Sequence, residues 1–226
     1  MKNLDVIVEH IYHSGFTVET KNHFLVFDYY KGDIELKDKK IYVFSTHGHK
    51  DHFNPEILDW EKDHDIEYIF SDDIDSLKKE NIHYIGHYQS LNLDDLEIKT
   101  YSSTDLGISI LVRVDGISIF FAGDLNWWYW EDDDDEEKIS MEKAFKIKVE
   151  RIVGQDIDIG FFPVDPRLED YYHLGGEYFI NKTHPKYFFP MHFGDKFDTS
   201  QRFINKIGDI PTKILDVDKR NQIFKL

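Results

Sequence analysis

Residues 41–53 read IYVFSTHGHKDHF, with three histidines and an aspartate crowded directly behind an apolar run. The run IYVF has the β-branched and aromatic composition of a buried strand, so the polar residues begin where the strand ends. Each neutral imidazole offers a nitrogen lone pair, and the aspartate offers an anionic oxygen. In an extended loop, residues two apart face the same side, which lets His47 and His49 converge on one ion while Asp51 and His52 reach a neighbouring position. The stretch therefore predicts a cluster of metal ligands.

Two later strands end in the same way. Asp124 follows the apolar run ISIFFA and a glycine, and His192 follows YFFPM. Ligands in α/β proteins gather beyond the carboxyl ends of strands, so both residues are placed to complete the site. A buried aspartate or histidine at a strand end can instead be a hydrogen-bonded structural group, and this alternative stays open for each residue singly.

The composition limits what kind of protein hosts such a site. The chain has 226 residues and is 41% hydrophobic, enough for a sizeable core. Its formal charge of -17 repels phosphate backbones, so nucleic acid is not expected as a partner. Without cysteine, any metal must bind through nitrogen and oxygen. The N-terminal residues lack the apolar stretch of a signal peptide and no run is long enough to span a membrane, so we expect a cytoplasmic protein with no membrane partner.

The hydrophobic pattern predicts a mixed α/β fold. Three apolar runs within residues 4–30 indicate an antiparallel meander, and residues 41–86 alternate strand and helix as parallel strands do, with helices at 56–63 and 76–81. Two further strands meet at Asp115-Gly116, a strong hairpin signal, and helices and strands then alternate to Leu226. The acidic residues 131–137 are expected to be a solvated lead-in to a helix, with calcium binding as the minor alternative.

Together these motifs resemble the metallo-β-lactamase superfamily of metal-dependent hydrolases. The similarity lies in THGHKDH, the later FAGD and PMHFGD, and an N-terminal YHSGFTVET that is similar to the opening meander of the ascorbate-lactonase-like and ribonuclease-Z-like branches. The resemblance covers nearly the whole chain. It implies an α/β fold of the four-layer αββα sandwich type, formed by a single domain over residues 1–226, with the site at the edge between two sheets.

The resemblance also implies a set of metal ligands. His47 and His49 would bind a first metal, Asp51 and His52 a second, Asp124 would bridge the two, and His192 would complete the second site. The superfamily usually has a further histidine after the strand that precedes the hairpin, and this chain has TYSSTDLG there. Asp105 could substitute for that histidine, water could fill its position, or the protein could use one metal.

The chemistry implied by such a centre is hydrolysis. A divalent cation lowers the pKa of bound water from 15.7 toward about 7, which supplies hydroxide at neutral pH, and it stabilises the oxyanion formed on attack. One or two divalent ions are expected, with zinc favoured and manganese or iron as alternatives. We predict a metal-dependent hydrolase that uses metal-bound hydroxide on a small organic ester, lactone or phosphoester, with Asp51 orienting water. Two alternatives stay open: a metal-binding scaffold or sensor without turnover, which the absent histidine favours, and a nuclease or phosphodiesterase, which the net charge disfavours.

Other residues are candidates for substrate contacts and proton transfer. Trp127 and Trp128 follow the GD motif closely and could wall a substrate pocket, with core or subunit-interface packing as the alternative. Arg167 could hold an anionic group, with a structural ion pair as the alternative, and His173 could protonate a leaving group. The resemblance places the turn that contains His13 near the site, where a solvated side chain is the alternative to a functional one. A small-molecule substrate is the expected partner, and a homo-oligomer stays open.

Overall fold

The computed structural model describes residues 4–74, 77–94 and 96–226, and two seven-stranded sheets form most of it. The first sheet contains β1 (Ile7–Tyr12), β2 (Gly15–Glu19), β3 (His23–Phe27), β4 (Lys40–Ser45), β5 (Ile66–Ser71), β6 (Ile82–Ile85) and β14 (Gln222–Lys225). Their order across the sheet is β14-β1-β2-β3-β4-β5-β6. The strands from β14 to β3 pair antiparallel and those from β3 to β6 pair parallel. Both the meander and the parallel section are as the sequence predicts.

The second sheet repeats this change of direction. It contains β7 (Ser90–Leu93), β8 (Leu96–Ser102), β9 (Ile108–Val114), β10 (Ile117–Phe121), β11 (Ile159–Pro163), β12 (Tyr187–Met191) and β13 (Lys213–Ile214), in the order β13-β12-β11-β10-β9-β8-β7. The pairs from β7 to β10 are antiparallel and those from β10 to β13 are parallel. The hairpin between β9 and β10 turns at Asp115-Gly116, where both residues have a positive φ, as a two-residue turn of this kind requires.

In the described part of the chain, three α-helices pack outside the sheets: α1 (Asp135–Glu150), α2 (Leu174–Thr183) and α3 (Asp198–Ile207). The acidic run leads into α1, which begins with a capping box between Asp134 and Glu137. The helix predicted at 56–63 is a 3₁₀ helix, Pro55–Lys62. The helix predicted at 76–81 is wrong over residues 77–81. These residues contain one apolar side chain, so a helix there would have no apolar face to bury. Residue 76 lies outside the described residues. Within the described ranges, no helix has the length and apolar character needed to cross a membrane.

The apolar side chains form two cores, one on each face of the first sheet. In β4, Tyr42 and Phe44 belong to the core between the sheets, whereas Ile41 and Val43 belong to the outer core. Successive strand residues face opposite sides, so this alternation is what a strand buried on both faces requires. Ile57 of the 3₁₀ helix covers the outer core, while α1, α2 and α3 cover the second sheet. The order of layers is the αββα sandwich implied by the resemblance to the superfamily.

The carboxyl ends of β3, β4, β10, β11 and β12 meet at one edge of the sandwich, and two glycines let the loops there approach closely. Gly107 and Gly123 both have positive φ, and an added Cβ would lie 2.0 Å from the Thr46 carbonyl oxygen and 2.7 Å from Thr46 Oγ1, respectively. The amide of Ile108 donates to that same carbonyl at 3.0 Å. Glycine at these two positions therefore lets the second sheet close over the loop that follows β4.

Candidate metal centre

Asp124 lies at the centre of the residues that the sequence predicts as ligands. Its Oδ1 is 3.1 Å from His52 Nε2 and 3.2 Å from His192 Nε2, and its Oδ2 is 3.6 Å from His47 Nε2. Asp51 Oδ2 is 4.0 Å from His52 Nε2. These residues come from the loop after β4 and from the ends of β10 and β12, as the strand-end pattern predicts. The fold thus brings side chains that are far apart in sequence to one edge.

Several of these atoms are buried without a hydrogen-bond partner. His52 Nε2, His192 Nε2 and Asp124 Oδ1 have no hydrogen bond among the described residues, because their short contacts with one another lack hydrogen-bond geometry. Buried polar atoms in folded proteins nearly always have a partner. Two imidazole nitrogens and a carboxylate oxygen that face one another in this way are suited to a shared cation. The residues therefore fit a metal ion of the kind that the fold family implies.

Two buried carboxylates orient the imidazoles. His52 Nδ1 is 2.6 Å from Asp28 Oδ2, and His192 Nδ1 is 2.9 Å from Asp165 Oδ2. Ionised carboxylates only accept hydrogen bonds, so each Nδ1 carries a proton and, in a neutral ring, each Nε2 carries the lone pair that a metal needs. Carboxylates behind histidine ligands commonly fix the tautomer in this way. Both rings are thus set to bind through Nε2.

Thr46 sets the third ring through the same carboxylate. Its hydroxyl donates to Asp28 Oδ2 at 2.7 Å, and its oxygen lies 3.2 Å from His47 Nδ1. Because the hydroxyl proton is already used, Thr46 Oγ1 accepts from His47 Nδ1–H, and the lone pair of His47 lies on Nε2. Sequence reasoning missed Asp28 and Thr46, although Asp28 follows FLVF as Asp124 follows its own apolar run, which is the signal that could have found it.

Charges within the cluster are strongly coupled. Burial opposes charge on His192, but Asp124 and Asp165 outweigh it and raise the pKa of His192 to about 9. Burial likewise opposes ionisation of Asp124, yet His192 and His52 hold its pKa well below its usual value. The pKa of His52 is raised well above its usual value, because Asp124 and Asp28 outweigh the cost of burial. A cation that binds here must displace these imidazole protons, so metal binding is coupled to proton release.

Asp105 lies in the segment TYSSTDLG, where this chain lacks the histidine that the superfamily usually has. Ligand atoms of His49, Asp105 and Asp124 lie within 4.8 Å of one another, and His49 Nδ1 is 3.0 Å from His47 Nε2. The neighbouring Thr104 is occupied elsewhere, because its hydroxyl donates to the Asn126 carbonyl at 2.6 Å and accepts from the Asn126 amide at 2.9 Å. Of the alternatives left open by the sequence, substitution by Asp105 is the one that this arrangement favours.

A pocket of about 270 Å³ opens beside Asp124. It is lined by Thr104, Asp105, Asp124, Trp128, Trp130, Met141 and Arg167. The Trp128 indole donates from Nε1 to the Asp124 carbonyl at 3.0 Å and stacks on Trp130 with ring centroids 6.0 Å apart. The Arg167 guanidinium lies 5.7 Å over the Trp130 ring and is also bonded through Nε to both carboxylate oxygens of Asp165. Arg167 therefore both lines the pocket and makes the ion pair that the sequence left as its alternative.

Two predicted site residues lie elsewhere. Trp127 does not line the pocket, because its ring packs against Phe145 of α1 and Tyr178 of α2, at centroid distances of 5.9 and 6.3 Å. His173 bonds through Nδ1 to Glu177 Oε2 at 2.8 Å, one turn along α2. Adjacent residues of the loop after β10 point in different directions, so closeness in sequence to Asp124 does not place Trp127 in the pocket. Packing is the alternative that the structure supports for Trp127.

Comparison with known proteins identifies the fold. No family model matches the chain, and no curated protein matches its sequence. The structure is similar to that of Igni18, a metallo hydrolase from Ignicoccus hospitalis, with 16% identity, a TM-score of 0.62 and coverage of 98% of this chain and 99% of that one. It is similar to YhfI, a metallo-beta-lactamase fold protein from Bacillus subtilis, with 10% identity, a TM-score of 0.62 and coverage of 97% and 98%. It is also similar to CmlA, a diiron beta-hydroxylase from Streptomyces venezuelae, with 12% identity, a TM-score of 0.66 and coverage of 100% of this chain and 55% of that one. The chain has the metallo-β-lactamase fold.

Proposed function

We propose that this chain is a metal-dependent hydrolase of a small organic molecule that contains an ester, lactone or phosphoester bond. The observation that supports it most is the set of buried, unpaired atoms: two imidazole nitrogens and one carboxylate oxygen face one another at the edge of the sandwich. Such atoms are costly to bury without a partner. A divalent cation satisfies all of them at once.

Each half of the centre then has two nitrogen and two oxygen ligands. His47, His49, Asp105 and Asp124 would hold one cation, and Asp51, His52, Asp124 and His192 would hold the other. Mixed imidazole and carboxylate sites suit zinc, and they also suit manganese and iron. Zinc remains the favoured ion, and metal analysis of the purified protein distinguishes it from the other two.

The bound metal would supply Lewis acidity, which activates water and stabilises developing negative charge. The chain itself supplies the geometry. Asp28 and Asp165 hold His52 and His192 in the ligating tautomer, so the centre needs little rearrangement to bind a cation. Asp51, whose side chain is 44% exposed, is the most exposed ligand of the second half of the centre and would orient an incoming water molecule.

The pocket beside Asp124 favours a substrate with an apolar part and an anionic part. Trp128 and Trp130 present aromatic surface, and Arg167 presents a planar cation next to them. One guanidinium edge is held by Asp165, which fixes the direction of the remaining donors. A nucleic acid is a poor fit because the net charge of -17 repels a phosphate backbone. A small carboxylated lactone or ester fits both features.

The test combines metal analysis with a substrate screen. Purified protein is expected to contain about two equivalents of divalent metal per chain, since each half of the centre has a full set of ligands. Asp124→Ala, which removes the shared ligand, is expected to lose most of the metal and all hydrolysis of lactones, esters and phosphodiesters. His173→Asn serves as the matched control, because it removes a histidine outside the cluster.

The outcomes separate the candidate functions. Metal that is bound but supports no hydrolysis of any substrate class would favour the scaffold or sensor. Asp124→Ala with an unchanged metal content would overturn the ligand assignment and, with it, the proposed hydrolase.

A further inference from the structure

His13 is the fifth imidazole at the metal centre, beside those of His47, His49, His52 and His192. It lies in the turn between β1 and β2, its ring centroid is 4.1 Å from that of His192, and its Nε2 is 3.4 Å from Asp51 Oδ2. Ligand atoms of His13, Asp51, His52 and His192 all lie within 4.8 Å of one another. By position alone, His13 would be taken as one more ligand of the second metal.

The hydrogen bond on the other side of the ring contradicts that assignment. His13 Nδ1 accepts from the backbone amide of Gly194 at 3.2 Å. A backbone amide can only donate, so Nδ1 carries the lone pair and, in the neutral ring, Nε2 carries the proton. His52 and His192 have the opposite arrangement, because carboxylates face their Nδ1 atoms. The rings of His47, His52 and His192 thus present a lone pair to the site, whereas His13 presents an N–H.

The backbone holds this arrangement in place. The His192 amide donates to the His13 carbonyl at 3.2 Å, so two main-chain amides, those of His192 and Gly194, bond the segment after β12 to His13. His13 has a positive φ of 57°, a conformation that histidine adopts more readily than most residues. A flip of the ring would place the carbon Cδ2 against the Gly194 amide, which would lose its acceptor, and would turn the carbon Cε1 toward the site. The N–H donor is therefore fixed by local structure.

This donor has no acceptor within the described parts of the chain. His13 Nε2 is buried and makes no hydrogen bond, since Asp51 at 3.4 Å lies beyond the normal N–H···O range. We infer that His13 is a catalytic hydrogen-bond donor and not a metal ligand: its Nε2–H binds an anionic oxygen of the substrate at the second half of the centre. The inference rests on the proposed function, because the substrate oxygen is drawn there by the metal.

A second pocket lies beside the His13 side chain. Its volume is about 260 Å³, and its lining includes Tyr12, His13, Arg167, His192 and Lys196. Arg167 also lines the aromatic pocket beside Asp124, so the two pockets meet at its side chain. Two cationic side chains, Arg167 and Lys196, thus line the same pocket as His13, which suits an oxyanion such as a carboxylate or phosphate group.

The tautomer can be measured without a variant that affects folding. Full-length protein labelled with ¹⁵N-histidine is compared by two-bond ¹H–¹⁵N correlation spectra before and after zinc is added, and His13→Asn identifies the His13 signals. We expect a protonated Nε2 on His13 in both states, while the Nε2 signals of His52 and His192 shift on zinc binding. A His13 Nε2 that loses its proton or takes a zinc-bound shift would overturn the inference.

Binding measurements test the role of the donor. His13→Asn keeps a residue that tolerates positive φ but shortens the side chain, and His13→Gly removes it without backbone strain. Both variants are expected to bind zinc with the native stoichiometry, whereas His192→Ala loses the second equivalent. Inorganic phosphate, titrated into zinc-loaded protein, is expected to bind each His13 variant roughly tenfold more weakly, since hydrogen bonds to charged groups are worth this much or more. His173→Asn is the control and should retain native phosphate affinity.

The possible failures are distinguishable. Loss of a zinc equivalent in the His13 variants, or unchanged phosphate affinity, would overturn the donor role and leave the hydrolase proposal standing. Absence of zinc binding by the native protein would overturn the hydrolase proposal and the inference that depends on it.

Discussion

Replacing Asp28 with asparagine should damage the metal centre far more than it damages the fold. The Asp28 carboxylate is fully buried and accepts three hydrogen bonds, from the Thr46 amide, the Thr46 hydroxyl and His52 Nδ1. Asparagine has the same shape but presents an NH₂ group in place of one oxygen. If the remaining oxygen keeps the bond to the Thr46 amide, the NH₂ group faces the hydroxyl and the imidazole, which are both donors.

The relief of this conflict reverses two tautomers. His52 can accept from the new NH₂ group only if its proton moves from Nδ1 to Nε2, which removes the lone pair that faces Asp124. The Thr46 hydroxyl, deprived of its acceptor, can turn toward His47 Nδ1, which lies 3.2 Å away and would then accept, so His47 is also left with a proton on Nε2. One buried substitution therefore affects a ligand in each half of the centre.

The expected magnitudes follow from these contacts. Loss of an oriented partner behind a ligand typically costs about 10–100-fold in metal affinity, so with two ligands affected we expect a loss of at least about 100-fold. The metal-free protein should lose about 1–3 kcal/mol of stability, the usual result of leaving a buried donor unsatisfied. For a chain of this size, that corresponds to a decrease in Tm of roughly 2–12 °C.

The matched control is Asp115→Asn. Asp115 lies in the turn before β10, at the end of that strand away from Asp124. Asp115 also accepts from a threonine hydroxyl and a histidine Nδ1, those of Thr20 and His23, at 2.7 and 3.0 Å. Zinc affinity is measured by calorimetry against a competing chelator, and stability by thermal melting of the metal-free proteins. Asp115→Asn should lose stability while it keeps native zinc affinity. The tautomer reasoning is refuted if Asp28→Asn lowers Tm but binds zinc as tightly as the native protein does.

Three further predictions concern other parts of the centre. Asp124 and Asp165 outweigh the cost of burial and raise the pKa of His192 from 6.5 to about 9. The charged imidazole should therefore stabilise the metal-free protein fully below about pH 6.5, and this stabilisation should be lost as the pH rises through 9. Thermal melts in chelator at both pH values test this, and the zinc-saturated protein should lose less stability over the same pH range. Asp105→Ala should lose about one zinc equivalent and Asp105→His should keep it, as metal analysis would show; equal occupancy in all three proteins would exclude Asp105 as a ligand. Arg167→Lys keeps the charge but loses the planar donor pair, so KM for an anionic substrate should rise roughly tenfold with a smaller change in kcat.

Sequence reasoning brought the clustered side chains to one edge because its strongest signals are tied to strand ends. An apolar run shows where a strand stops, and the carboxyl ends of neighbouring strands meet at one edge, so the sequence alone brings His47, Asp124 and His192 together. The same logic should have included Asp28, which follows an apolar run just as they do. It was passed over because it stands alone, with no second polar residue to form a pattern.

The failures have a common physical cause, which is that side-chain direction depends on tertiary contacts. Trp127 and Trp128 are adjacent, yet one packs between helices and the other beside His192, with ring centroids 5.9 Å from Phe145 and 5.5 Å from His192. Local composition predicts a helix over residues 76–81, but it has little influence without an apolar face to bury, and the described residues 77–81 form no helix. Which nitrogen of a histidine carries the proton depends on the group that faces its other nitrogen, and that group comes from a different strand.

Backbone strain and unpaired polar atoms coincide at the metal centre. Asp28, His13 and His192 all have positive φ, at 44°, 57° and 72°, and each provides or orients a group of the cluster. Non-glycine residues in this region cost on the order of 1 kcal/mol or more each, and they persist where the surrounding structure holds them. His13 Nε2 and His192 Nε2 add the cost of buried atoms without hydrogen bonds. These free-energy costs arise close together at the metal centre. Binding of a cation and an anionic oxygen there would offset the cost of the unpaired atoms but not that of the backbone strain. At these three positions the backbone conformation sets the direction of a side chain of the cluster, whereas at Asp115 the same region of φ serves the turn of a hairpin.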